Sequence, residues 1–186
     1  MFRGWAEAFT DTEVYAVDLH AGLDVAEASM QNYEAAVACA AGLLGRPLAI
    51  VGWSMGGLAA TMAARRVLPE ALVLLESSPP GEVQGFDDAV PLGRGTFDAE
   101  EVYGSFPDGI PARPESLLAR AERKRGISVP SLPGRTLVVS GREFQEERGS
   151  RLAAFYGAEE LSLPEADHWD LVLAPAVRDA IARWLE

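Results

Sequence analysis

Short apolar runs alternate with helical apolar periodicities along most of this chain. Val14-Tyr15-Ala16-Val17 is an apolar run closed by Asp18 and predicts a first strand. Tyr33, Ala36, Val37, Ala40, Ala41 and Leu44 recur at the three-and-four spacing of an amphipathic helix. Leu48 to Val51 predicts a second strand, after which Gly52 to Gly57 turns into an Ala-rich helix reaching Ala64. Ala71 to Leu75 predicts a third strand. Farther on, Thr136 to Ser140 reads as a strand, and Ser150 is placed to cap a helix over Arg151 to Tyr156 that Gly157 ends. Leu161 to Leu163 is the last predicted strand. Pro175 opens a terminal helix that turns Val177, Ile181, Trp184 and Leu185 inward.

Between about Ser78 and Gly134 the alternation breaks. This stretch holds eight of the twelve prolines and no strong strand. Asp98 with Glu101 has the form of a capping box, and Arg113-Pro114-Glu115 opens a further helix that Gly126 stops. The segment 78–134 is expected to form a helical lid over the sheet edge; a meandering surface connection is the plainer alternative. Strands alternating with helices imply a three-layer α/β/α architecture on a mostly parallel sheet of about five strands. At 186 residues this is expected to be a single domain, 1–186, able to bury a core without staples.

Charge narrows the partners. The net charge is −12 and the isoelectric point about 4.6, a balance that repels phosphate backbones and anionic membranes. Nucleic acid and membrane are therefore not expected as partners, and the oligomeric state stays open. Cys39 is the one cysteine, so no intramolecular disulfide can form. Its Ala-rich helical setting predicts a packed small hydrophobe. No apolar run reaches transmembrane length and no signal pattern opens the chain, so a cytoplasmic location is the expectation.

The chemistry concentrates at Gly52-Trp53-Ser54-Met55-Gly56-Gly57, which matches G-x-S-x-G between a predicted strand and a predicted helix. A nucleophilic serine needs a sharp, strained turn to stand proud of the sheet. Gly52 and Gly56 would let neighbouring backbone approach where a Cβ would clash. The helix that follows points its positive dipole end at the site, and the Met55 N–H becomes an oxyanion donor.

On these residues the chain, from roughly Trp5 to Glu186, resembles the α/β-hydrolase family and is similar to its small esterase and lipase-like members. The resemblance implies a Ser–acid–His order. His168, in Asp167-His168-Trp169 after the last predicted strand, falls where the family places its base. His20 matches no catalytic position. The family usually supplies the acid from the loop after the strand ending at Ser140, here Gly141-Arg142-Glu143-Phe144-Gln145-Glu146-Glu147. Phe144 stands where Asp is commoner. Glu143, one position away, is the first choice, with Glu146 and Glu147 behind it. Some members carry the acid where this chain has Glu76, at the end of the third strand, and Glu76 is the alternative. Family members also have strands before the helix that Gly4 to Phe9 resembles, and one of them ends in a loop that donates the second oxyanion N–H. By this resemblance the chain is expected to start too late to hold it, whether through a misassigned start, an excised fragment or a minimal variant. Val14 to Val17 is therefore expected to pair directly with Leu48 to Val51, and turnover to be slowed on the order of 100- to 1000-fold in kcat by the lost donor.

Trp53, Met55 and Trp169 flank the proposed nucleophile and base, so Trp53 and Trp169 are candidate substrate-binding residues, with aromatic core packing as the rival. The basic run Arg120, Arg123, Lys124, Arg125 reads first as a solvated helix face and second as recognition of an anionic substrate. Two distant histidines and one cysteine make no metal site. Neither a phosphate-cradling loop nor a dinucleotide fingerprint is present, so no cofactor is expected. The expected partner is a small ester-like molecule, cleaved through a Ser–His–acid triad and an acyl-enzyme. The alternative is a non-catalytic binding or scaffold protein that keeps the fold.

Overall fold

In the computed structural model, residues 4–9, 11–143 and 148–186 are described. The central sheet is parallel, in the order β1 (Ala49–Trp53), β2 (Ala71–Leu75), β5 (Arg135–Ser140), β6 (Glu159–Ser162). The register is set by Ala49 opposite Ala71 and by Ala71 opposite Arg135. Every residue of β2 is buried. A parallel sheet covered on both faces demands that, and it explains why Ala71-Leu-Val-Leu-Leu75 shows no polar alternation.

One layer of helices comprises α1 (Trp5–Ala8), α8 (Asp170–Leu173) and α9 (Pro175–Leu185). Trp5, Leu171, Val177 and Ile181 pack there on Val73, Leu75, Leu137 and Val139. The Trp5 indole N–H donates to the Val172 carbonyl at 2.9 Å, which ties α1 to this layer. The opposite face carries α3 (Met55–Val67) and α7 (Ser150–Tyr156), packed on Leu72, Leu74 and Val138. The alanine content of α3 follows from its place. Ala60 and Ala64 face the sheet, whereas Ala59 and Ala63 face Tyr33 and Val37 of α2 (Met30–Leu43). A helix pressed between a sheet and a second helix has room only for small side chains. Ser29 caps α2 in a reciprocal box with Asn32.

The segment 78–134 holds α4 (Gly81–Gln84), α5 (Ala99–Tyr103), α6 (Leu117–Arg125) and an antiparallel pair, β3 (Thr96–Phe97) with β4 (Glu115–Ser116). The predicted helix start at Arg113-Pro114-Glu115 is displaced. Glu115 and Ser116 pair with β3, and the Ser116 hydroxyl caps α6 by accepting from Ala119 N–H. Gly126, at φ +89°, ends that helix as expected. Among the described residues, no helix is long and apolar enough to cross a membrane.

Two expectations need correction. Val14 to Val17 forms no strand and makes no ladder with β1. Val14, Tyr15 and Val17 are exposed, and among the described residues the sheet has four strands where about five were expected, with β1 at its edge. The anchors on either side explain this. Trp5 and Phe9 pack into the α1/α8/α9 layer, while Leu19 and Leu23 pack with α2 and α3 on the other face. The residues between must pass around the sheet edge from one face to the other, which an apolar tetrapeptide pattern cannot foresee. Cys39 is exposed, because α2 buries Met30, Tyr33 and Val37 and turns the cysteine away from α3.

Candidate active site

The turn from β1 into α3 places Ser54 at φ +53° and ψ −125°, strained for a residue with a Cβ. The surroundings hold it there. Ser54 N–H donates to the Leu75 carbonyl at 3.0 Å, and the Ser54 carbonyl accepts from Gly57 N–H at 3.1 Å and Ser78 N–H at 3.0 Å. Close approach is needed at Gly52, where a Cβ would lie 2.7 Å from Gly57 Cα and 2.9 Å from the Gly56 oxygen. It is needed again at Gly57, where a Cβ would meet Ser77 Cβ at 2.5 Å. Gly56, expected to share this role, has room: its nearest neighbour would be Leu19 Cδ1 at 3.8 Å. Gly57 is therefore the second tight position. Met55 is the first residue of the 13-residue helix α3, so its N–H stands at the helix's positive end, beside Ser54.

His168 lies in the turn before α8, half-buried. Its Nδ1 and Glu76 Oε2 are 2.6 Å apart, and the Glu76 side chain is 0% exposed. The other oxygen of Glu76 accepts from Gly141 N–H at 2.8 Å. Glu76 follows the last residue of β2 at φ +38°, with its N–H on the Val139 carbonyl. That left-handed turn directs the carboxylate along the sheet's C-terminal edge toward His168. Glu143, the first sequence choice for the acid, is exposed, and its carboxylate comes within 4.8 Å of the His168 ring and the Glu76 carboxylate. The hydrogen bond to Nδ1 is made by Glu76 and not by Glu143. Glu146 and Glu147 lie outside the described residues. Glu76, Glu143 and His168 together have the spacing of a metal-ligand set, but each oxygen of Glu76 already accepts a bond from Gly141 or His168.

The Trp53 indole N–H donates to the His168 carbonyl at 2.9 Å, and the two rings lie 4.6 Å apart. Trp53 also packs on Trp169 at 4.9 Å, and Phe106 meets Trp169 edge-on at 4.9 Å. Trp53 and Trp169 thus both line the cavity and pack against the core. The cavity, about 1300 Å³, runs from the free edge of β1 to Ser54, Glu76 and His168. From the Pro-rich segment, Tyr103, Phe106, Ile110 and Arg123 reach its wall. Sequence reading missed Phe106, Ser78 and Tyr103 as wall residues. The only signal available was aromatic residues within an otherwise polar, proline-rich stretch.

The alpha/beta hydrolase family model matches residues 2–185. No curated protein matches the chain. A protein from Agrobacterium vitis S4 described as a hydrolase superposes with a TM-score of 0.63 at 12% identity, over 91% of this chain and 73% of its own. A thioesterase from the prodiginine biosynthetic pathway of Streptomyces coelicolor gives a TM-score of 0.55 at 21% identity, over 99% and 78%. A thermophilic esterase gives 0.57 at 15%, over 85% and 73%. With its sequence matched almost end to end and its parallel sheet and helix layers in place, this chain belongs to the alpha/beta hydrolase family.

Proposed function

We propose that this hydrolase cleaves carboxylic esters or thioesters with Ser54 as nucleophile, His168 as general base and Glu76 as the acid that orients it. The observation that carries the reading is the 2.6 Å contact between His168 Nδ1 and the fully buried Glu76 carboxylate, on the same cavity as the strained Ser54. A carboxylate can only accept a hydrogen bond, so Nδ1 carries the hydrogen and Nε2 is left with its lone pair. Nε2 takes the proton from Ser54 as Oγ attacks the acyl carbon. The tetrahedral oxyanion is stabilised by the Met55 N–H and the α3 dipole. The imidazolium, held by Glu76, returns the proton to the departing alkoxide or thiolate. Water repeats the sequence on the acyl-enzyme and regenerates Ser54. Trp53 and Trp169 form an apolar wall for the substrate, and the segment 78–134 acts as its lid, a role supported by the residues it sends to the cavity wall, Tyr103, Phe106, Ile110 and Arg123 among them.

A fluorophosphonate probe tests this directly: Ser54 is labelled in the wild type, and labelling is lost in Ser54→Ala together with turnover of a 4-nitrophenyl ester. Full hydrolysis by Ser54→Ala would overturn the reading, and an unlabelled, inert wild type would favour the non-catalytic alternative.

A further inference from the structure

In a protein of net charge −12, a cation inside the cavity that holds Ser54 calls for an explanation. Arg46, Arg113, Arg123 and Arg148 all line it, and Arg123 is the one bonded to Ser78, next to the Ser54 turn. It belongs to the basic run of α6, whose plainest reading from sequence was a solvated face. Its side chain instead turns inward and is half-buried on the cavity wall. Its hydrogen bonds go to two neutral hydroxyls, Nη1 to Ser78 Oγ at 3.1 Å and Nη2 to Tyr103 OH at 3.3 Å. Its Nε is buried without a hydrogen-bond partner. Among the described residues, no carboxylate lies within ion-pair distance of Arg123; the other arginine on this wall with a described ion pair, Arg113, is matched by Asp18. Glu115, on the same wall, reaches Arg123 only through its field, and burial holds its carboxyl above the usual range.

A guanidinium withdrawn from water requires a counter-charge or it is costly to keep there. Because Ser78 and Tyr103 accept from Arg123, their own hydroxyl protons are free to point elsewhere. Two hydroxyl groups able to donate therefore flank the guanidinium on the cavity wall. That spot adjoins the nucleophile, since Ser78 N–H donates to the Ser54 carbonyl. We infer that Arg123, with the Ser78 and Tyr103 hydroxyls, binds a carboxylate borne by the substrate, so that the preferred substrates are monoesters or monothioesters of dicarboxylic acids. The inference rests on the hydrolase reading above and specifies its substrate class.

The test compares 4-nitrophenyl monoesters of succinic, glutaric and adipic acid with the 4-nitrophenyl esters of butyric, valeric and caproic acid. The quantity read is the ratio of kcat/KM for the anionic ester to that for its neutral match. At the best-fitting length the wild type should favour the anion by about 10-fold or more, and Arg123→Gln should lower the ratio by about 30-fold or more. Arg123→Lys should restore part of it, which a purely structural arginine would not do. Binding of monomethyl glutarate to Ser54→Ala, followed by calorimetry, separates the two claims. Arg123-dependent binding without turnover in the wild type would sink the hydrolase reading and leave the anion subsite standing. Turnover with a ratio that Arg123→Gln leaves unchanged at every length would overturn the subsite alone.

Discussion

Replacing Glu76 with Gln tests the site at its least ambiguous point. The side chain is fully buried, and its two oxygens face different partners: Oε1 accepts from Gly141 N–H at 2.8 Å, and Oε2 meets His168 Nδ1 at 2.6 Å. Glutamine fits the same volume, but its two ends are no longer alike. Gly141 N–H can only donate, so the amide oxygen must take the Oε1 position, because the reverse orientation would oppose two donors in a buried place. The amide NH₂ then faces His168. Nδ1 must become the acceptor, the ring hydrogen moves to Nε2, and the imidazole can no longer take a proton from Ser54. A tautomer fault of this kind costs on the order of 10⁴-fold in kcat, about 5.4 kcal/mol of barrier. The assay is 4-nitrophenyl butyrate hydrolysis, with circular dichroism melts to show that the fold persists. Glu143→Gln serves as the comparison and should change kcat by less than about 10-fold, as its exposed carboxylate is well screened. If Glu76→Gln keeps most of its activity while Glu143→Gln loses it, the loop acid is the working one and the argument from burial is wrong.

Three further outcomes follow from the packing and charge. Gly52→Ala puts a Cβ within 2.9 Å of two backbone atoms and should lower stability by about 1–3 kcal/mol in urea unfolding, whereas Gly56→Ala should cost far less. Leu74→Ala empties a position with 0% exposure in the central strand and should cost about 2–5 kcal/mol in the same assay. Burial raises the Glu115 carboxyl against the opposing fields of Arg123 and Arg120. A raised pKa in the folded state means that the ionised form weakens the fold once the pH passes the ordinary carboxylate value. Glu115→Gln should therefore raise Tm at about pH 7, with the gain gone at about pH 3.5, as melts at the two pH values would show.

The sequence by itself determined the features that depend on neighbours along the chain. The elbow could be read because a buried strand, a glycine-flanked serine and an alanine-rich helix are contiguous, from Ala49 to Val67. The uniform apolarity of Ala71–Leu75 announced a strand covered on both faces, and Pro175 with Val177 and Ile181 announced the terminal helix. Local pattern also put His168 after the last strand. Tertiary structure decided whatever depends on which distant segment arrives beside which. Glu76 and Glu143 follow the ends of adjacent strands, and both come near His168; the left-handed turn at Glu76 and the Gly141 N–H bring the Glu76 carboxylate onto Nδ1, and neither is visible in a strand pattern. Val14 to Val17 has the composition of a strand, yet its flanks are anchored on opposite faces of the sheet, so it rounds the edge and leaves β1 unpaired there. Arg123 looked like one cation in a solvated run, and its inward turn depends on α6 packing where Ser78 and Tyr103 can receive it. Propensity and periodicity act over a few residues, whereas burial, partner choice and charge compensation are set by contacts far apart in the chain.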